Sequence, residues 1–377
     1  MTALAPFRVH AAPRPARAPR VDHGMRRASH DPFSAGTHLV APQLRKGQRP
    51  ATGPLRVLAY VDRYPPFVNA GAEWMLHHLL RSSVRAGHQV DVATAVPSGP
   101  HDVEGVRVWP VAALGELAKG ADVAVGHLLW TRQVVELADH HRLPLLYLVH
   151  NDSQVRYWGL SPLNVTMLVH NSRWIAAAHP LWRGPAATVR PPVLVEDYDV
   201  DRAGAEYVTL VNPIPEKGAA TFYALAKARR THRFLAVEGA YGRQQRQPVG
   251  NVEHQDQTGD MRHDVYRRTR VLLNPSSYES WGRVACEALC SGIPVLAHPT
   301  PGLREALGRG AQFIDRDDHD AYVRALDDLD DPDTYEHWSA RARARAAELD
   351  RQARRDLHTW DQLLRVAAAA PRDRSTS

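Results

Sequence analysis

The sequence predicts an α/β protein made of two consecutive doubly wound domains. Three observations carry this. Short apolar runs alternate with amphipathic helical stretches, the mark of βαβ units and a parallel sheet. The alternation pauses once, at the proline pair 191–192, and then resumes. The chain has 377 residues, more than a single hydrophobic core usually serves.

The segment before residue 55 is of another kind. Residues 1–54 hold nine Arg or Lys and two acids, which leaves about −1 of the formal +6 for the rest of the chain. Rich in Pro, Ala and Arg and without periodicity, they read as a disordered basic tail. No apolar run follows Arg26-Arg27, so no secretion signal is read there.

From residue 55 the elements follow in order. Residues 55–61 are an apolar strand, 62–71 a loop, 72–86 an amphipathic helix broken by Gly87, and 89–95 a second strand. Strands at 106–111, 123–126, 145–150, 167–170 and 187–189, with a helix near 134–141, complete a first domain over 55–192. Residues 191–201 read as a linker. The second domain, 193–345, takes strands at 207–211, 233–238, near 252, 271–274 and 294–297, with helices at 218–231, 260–268 and 279–291. Beyond 320 the chain is helical and charged, with Ala and Leu on one face. Its last helix is placed at 346–370, and 371–377 reads as disordered. Two such domains put a ligand in the crevice at the strand C-termini, between the halves.

Composition narrows the function. At 44% hydrophobic and 23% charged this is ordinary globular protein, and no run of eighteen apolar residues offers a membrane span. Cys286 and Cys290, the two cysteines, lie within one expected helix. They make neither a disulfide framework nor a convincing zinc site, and they point to the cytosol. No metal site is assigned.

The most informative stretch is Val271 to Glu287. It reads as a buried strand, a polar loop carrying Glu279, a glycine-opened helix start at Gly282, and Glu287 about one turn inside the helix. Free N–H groups and the positive dipole end of a helix suit a phosphate, and flanking carboxylates suit hydroxyls. A phosphate joined to hydroxyl-bearing rings is a nucleotide sugar. Paired acid–base hydrolysis fits poorly, because eight helical residues span about 12 Å and a retaining glycosidase needs its carboxyls about 5–5.5 Å apart.

Further motifs carry a resemblance. In chain order they are Asn69-Ala-Gly71-Ala-Glu73, Ala86-Gly-His-Gln-Val, Ile214-Pro-Glu-Lys217-Gly218, Asn274-Pro-Ser276, Glu279-Ser-Trp-Gly282, Glu287-Ala288, Gly292-Ile-Pro294-Val295 and Gly302-Leu-Arg-Glu305. Together they resemble a retaining GT-B glycosyltransferase of the family-4 (group 1) type, over residues 55 to about 365. The stretch 274–305 is the specific part.

The resemblance implies a GT-B fold, two Rossmann-like domains facing a cleft, with a C-terminal helix near Trp360 crossing back to the first. It implies metal-independent transfer of a hexose, with retention, from a nucleotide diphosphate sugar (UDP or GDP first) to an acceptor hydroxyl. Glu287 would bind the ribose hydroxyls and Glu279 the transferred sugar. Backbone N–H groups of Trp281, Gly282 and Arg283 would serve sugar and phosphate, and Lys217 would neutralise the departing diphosphate. His150, at a strand end, would orient the sugar. Gly71, Asn212 and Val284 complete the expected donor-binding set. Asn212 stands where the family usually carries an arginine, and Arg283 is a candidate replacement for that charge.

Other readings stay open. A nucleotide-sugar 2-epimerase shares the fold but needs acids and histidines around the sugar C2, and no convincing set is seen. A non-catalytic sugar-nucleotide or glycan binder with a decayed site is motivated by Asn212. A transferase acting on modified nucleic-acid bases is possible but not favoured, because only the tail is basic. The acceptor and the oligomeric state do not follow from the sequence. Tyr64, Phe67, Tyr157 and Trp158 are candidates to stack on an acceptor, with loop packing the better reading. Asn171 and Ser172 sit at a strand end, where capping the next helix is the simpler role. Residues 254–262 are expected to border the base.

Overall fold

The apolar runs become the strands of two parallel sheets. The structure is a computed structural model that describes residues 49–370, apart from 67, 96–98, 129–130, 154–156 and 158. Most of the basic tail, the residues after 370, Phe67 and Trp158 lie outside the described residues.

The first sheet holds β1 (Arg56–Val61), β2 (Gln89–Thr94), β3 (His101–Val103), β4 (Val106–Pro110), β5 (Val123–His127), β6 (Leu145–Val149), β7 (Met167–His170) and β8 (Ala186–Thr188). Their order is β3-β4-β2-β1-β5-β6-β7-β8, parallel except for the β3–β4 hairpin. Val57 of β1 pairs with Val90 on one side and Val123 on the other. Strands covered on both faces need continuous apolar runs, which is why these were readable. Strand β3, three polar or half-exposed residues, gave no such signal.

The second sheet holds β9 (Tyr207–Val211), β10 (Arg233–Val237), β11 (Val252–Gln255), β12 (Thr269–Asn274), β13 (Val295–Ala297) and β14 (Gln312–Phe313), in the order β11-β10-β9-β12-β13-β14. All its pairs are parallel. In both sheets the first strand lies between neighbours reached in opposite directions: β1 between β2 and β5, β9 between β10 and β12. That switch point opens a crevice beyond the strand C-termini.

Eleven α-helices occur among the described residues: α1 (Gly71–Arg85), α2 (Leu114–Lys119), α3 (Thr131–His140), α4 (Arg173–Ala178), α5 (Val195–Tyr198), α6 (Ala219–Ala228), α7 (Met261–Asp264), α8 (Arg283–Cys290), α9 (Pro301–Leu307), α10 (His319–Asp328) and α11 (Pro332–Ala368). Three differ from the sequence reading. The stretch read as a linker contains α5. The helix expected over 260–268 divides into α7 and a 3-10 turn at Tyr266–Arg268. Helix α8 begins at Arg283, at the glycine-opened start expected at Gly282 rather than at the 279 of the coarser range, because Gly282 takes a left-handed φ of 84°. Glu279 is therefore a loop residue.

Helix α11 ties the halves together. Asp331 caps it by accepting from the Thr334 N–H, and Pro332 takes the first position, where no N–H is needed. Its 37 residues pass through the expected boundary at 345–346 without a break. Ala342, Ala346 and Leu349 enter the core of the second half. Trp360, Leu363, Leu364 and Ala367 enter that of the first. Trp360 is fully buried, and its indole N–H donates to Ser83 Oγ at 3.0 Å. Among the described residues no helix is long and apolar enough to cross a membrane.

Candidate active site

Lys217 closes the 3-10 turn Pro215–Lys217 after β9, and Gly218 follows with φ 87°. A Cβ on Gly218 would stand 2.3 Å from Pro275 Cγ and 2.9 Å from its carbonyl oxygen. Two loops, one after β9 and one after β12, can thus approach closely. The result is Lys217 Nζ at 2.5 Å from Glu279 Oε1, with Ser276 Oγ at 3.0 Å from the same oxygen. Burial alone would lower the Lys217 pKa; Glu279, then Tyr241, outweighs it and holds the amine above its ordinary value. The ammonium is therefore held at the strand ends, paired with Glu279. On the other side of this loop, a Cβ on Gly302 would lie 2.2 Å from the Glu279 carbonyl oxygen and 2.7 Å from Ser280 backbone atoms. Bare backbone at 302 lets α9 brace the loop.

Glu287 is almost fully buried and engaged through both oxygens. Arg283 Nε donates to Oε1 at 2.5 Å, and the Tyr266 hydroxyl donates to Oε2 at 2.5 Å. Positions 283 and 287 are one helical turn apart, so the pair forms along α8 itself. The rest of the Arg283 guanidinium reaches the Pro192 carbonyl at 3.2 Å, His78 Nε2 at 3.2 Å and the Tyr198 hydroxyl. Burial disfavours its charge, but Tyr198 and Glu287 prevail and its pKa is raised. Burial, then Arg283 and Arg81, pushes His78 well below the usual histidine value, so this ring accepts from Arg283 as a neutral base.

This corrects the role considered for Arg283. Its side chain runs along α8 to Glu287 and the interdomain segment, and its donors are committed there. Asn212, with φ 63°, instead accepts from Gln244 Nε2 at 2.8 Å and packs against Gly239. Trp281 keeps only the backbone role expected of it. Its ring is buried in the core with Ala285 and Cys286, its indole nitrogen has no partner, and only its backbone remains available to a donor.

The first half contributes His150, one residue past β6, with His127 beside it at the end of β5. His127 Nδ1 is 3.2 Å from His150 Nε2. Burial pushes His150 down to about 3, so it is a neutral hydrogen-bonding group at physiological pH. Asn171 connects it to the other half: Nδ2 is 2.9 Å from Ser280 Oγ, beside Glu279, and 3.5 Å from the His150 carbonyl. Ser172 caps α4 through the Ile175 N–H. The Glu305 carboxylate accepts from the Arg173 and Trp174 N–H groups at 3.0 and 3.1 Å, so an acid of the second half holds the start of a first-half helix. Gly71, which opens α1, faces α8: a Cβ there would lie 3.7 Å from Arg283 Cβ. Thr258, in the stretch expected to border the base, receives the Asn69 side chain.

The structure therefore joins Lys217 to Glu279, sets Gly71 against the Arg283–Glu287 turn of α8, and links His150 through Asn171 to Ser280 beside Glu279; Val284 packs against the second-half core. Sequence reasoning missed His127, although it shares the strand-end position of His150, because the strand over 123–126 was ended one residue early. It also missed Tyr266, Trp174 and the latch made by Glu305. Tyr64 and Tyr157, offered as stacking aromatics, are buried at 2% and 7% exposure and pack in the first-half cores.

Comparison with known proteins meets this geometry. Residues 244–345 match the family model of the glycosyl transferases group 1. The match takes in the later part of the second half, about a quarter of the chain. A D-inositol 3-phosphate glycosyltransferase of Streptomyces avermitilis is 40% identical over 105 residues, 27% of this chain and 21% of the relative, so the match spans about a fifth of that protein. A glycogen synthase of Mycobacterium tuberculosis is 25% identical over 78% of this chain and 89% of its own length. Among solved structures, sucrose-phosphate synthase from Thermosynechococcus elongatus superposes with a TM-score of 0.64 at 17% identity, covering 82% of this chain and 99% of that one. Anabaena HepE in complex with UDP and glucose gives 0.63 at 14% identity, covering 81% and 100%. These likenesses show the GT-B fold. Within the group 1 match lie Glu279, Trp281, Gly282, Arg283, Val284 and Glu287; Lys217, Asn212, Gly71 and His150 lie outside it.

Proposed function

We propose that this chain transfers a hexose from a nucleotide diphosphate sugar to an acceptor hydroxyl, with retention at the anomeric carbon and without a metal. The observation that carries the proposal is the Lys217–Glu279 pair, 2.5 Å apart beside the start of α8. The diphosphate lies against the first-turn N–H groups of α8 and Lys217, while Glu279 meets the sugar and Glu287, steadied by Arg283 and Tyr266, takes the ribose hydroxyls. The bond between C1 and the phosphate oxygen breaks with its electron pair on the diphosphate. Lys217 stabilises that charge as it grows. The acceptor oxygen bonds C1 on the same face, and its proton passes to the departing phosphate oxygen. Neutral His150 orients the sugar. UDP-sugars are the first donors to try, with GDP-sugars next, since HepE is seen with UDP and glucose.

Calorimetric titration with UDP-, GDP-, ADP- and dTDP-sugars, on wild type and Glu287→Gln, tests this. Selective binding by one nucleotide, weakened in the variant, supports it. No binding across the panel overturns it.

A further inference from the structure

Between His150 and Glu279 an aromatic wall stands at the crevice mouth, where neither the sequence nor the donor site calls for one. Tyr278, directly before Glu279, is 40% exposed. Its ring meets the half-buried Trp174 edge to face, with centroids 5.8 Å apart. Both rings are held. Trp174 Nε1 donates to the Ser280 carbonyl at 2.9 Å, and its backbone N–H donates to Glu305. The Tyr278 hydroxyl accepts from the Asp152 N–H at 3.3 Å, so the ring reaches across from the second half to the loop after His150. Asp152 itself is exposed.

Two preorganised aromatics give an apolar surface at little conformational cost, and a neighbouring carboxylate accepts hydroxyl protons. A chain-like polyol has no flat apolar face to offer such a wall. A phosphorylated acceptor would meet the charge of Asp152. We infer that Tyr278, Trp174 and Asp152 form the acceptor subsite and that it takes an uncharged, polyhydroxylated six-membered ring, a glycoside residue or a cyclitol. This rests on the transferase reading above. The ring lies with its C–H face on Tyr278 and its hydroxyls toward Asp152, which brings one of them to the side of Glu279 where the donor sugar is held.

The test uses the full chain and the donor chosen by the binding panel. Transfer from radiolabelled donor is measured onto methyl α-D-glucopyranoside, methyl α-D-mannopyranoside and myo-inositol, with glycerol and glucose 6-phosphate as comparators. At least one ring should accept sugar well above both comparators. Tyr278→Ala should raise the half-saturating concentration of that acceptor about 3–10-fold, with a smaller change in donor affinity, and Tyr278→Phe should keep most of the acceptor affinity. Glycerol or glucose 6-phosphate serving as well as the rings overturns the inference, as does a Tyr278→Ala acceptor constant equal to wild type. Donor that binds but reaches no ring also overturns it and leaves the transferase reading standing. Donor that fails to bind removes both.

Discussion

His127 Nδ1 and His150 Nε2 face one another at 3.2 Å from the ends of neighbouring strands, their rings edge to face. One nitrogen must donate and the other accept, so the pair is bonded only while it is not doubly protonated. Burial drives His150 down to about 3, and burial with the charge of His150 drives His127 well below its ordinary value.

The unfolded chain, with both imidazoles near 6.5, therefore takes up protons first as pH falls. The pair's contribution is complete above that pH and is lost progressively toward pH 3. Thermal melts should show Tm falling between pH 7 and pH 5, the stability behind it dropping by up to about 1.4 kcal/mol per histidine per pH unit. A His127→Gln/His150→Gln double variant should show a shallower fall; an identical slope would place the proton uptake elsewhere.

Lys217 is expected to act on the chemical step. Lys217→Met should lower kcat about 10²–10³-fold, as loss of one fixed stabilising group does, with a smaller effect on donor KM. Glu279 holds the amine above its usual pKa. The pair's stabilisation is thus present at neutral pH and lost only as pH rises through that raised value. A wild-type rate profile with an alkaline limb below pH 9 would have to come from another group.

Arg283 and Glu287 should prove more costly apart than together. Arg283→Leu leaves Glu287 buried without its cation, and Glu287→Leu does the converse. Each should lose about 3–5 kcal/mol in urea unfolding, while the double variant recovers much of it. Additive losses would show that the two do not depend on each other. Nucleotide affinity should fall in all three.

Gly302→Ala tests the brace behind the Glu279 loop. The added methyl meets backbone at 2.2 Å, which cannot rotate away, so the loop must shift. Transfer should fall at least tenfold, since displacements of about 1 Å can cost 10² in rate, while far-UV circular dichroism stays unchanged. Full activity would mean that the loop has slack.

The sequence made the strands legible because parallel strands buried on both faces must be continuous apolar runs, as at 57–61 and 271–274. Glu279, Glu287 and Lys217 were legible because their local chain pattern places them at strand ends. What failed was direction. Arg283 sits at a helix start, where a phosphate role is natural, yet its side chain turns along the helix to Glu287. For Trp281, whose expected role was the backbone's alone, the ring lies in the core. The latch of Glu305 on α4 and the meeting of Tyr278 with Asp152 join residues more than 120 positions apart. No local period records such pairs.

The reach of α11 into the first core also bears on the order in which the protein can be assembled. Ser83 and its partner Trp360 are 277 positions apart. A ribosome that has finished every strand of the first sheet has not yet made Trp360, Leu363, Leu364 or Ala367, which fill that sheet's core. The half that is synthesised first is thus completed last. Until the final helix emerges, its apolar face stands open, and this is the interval in which a nascent chain depends most on a chaperone.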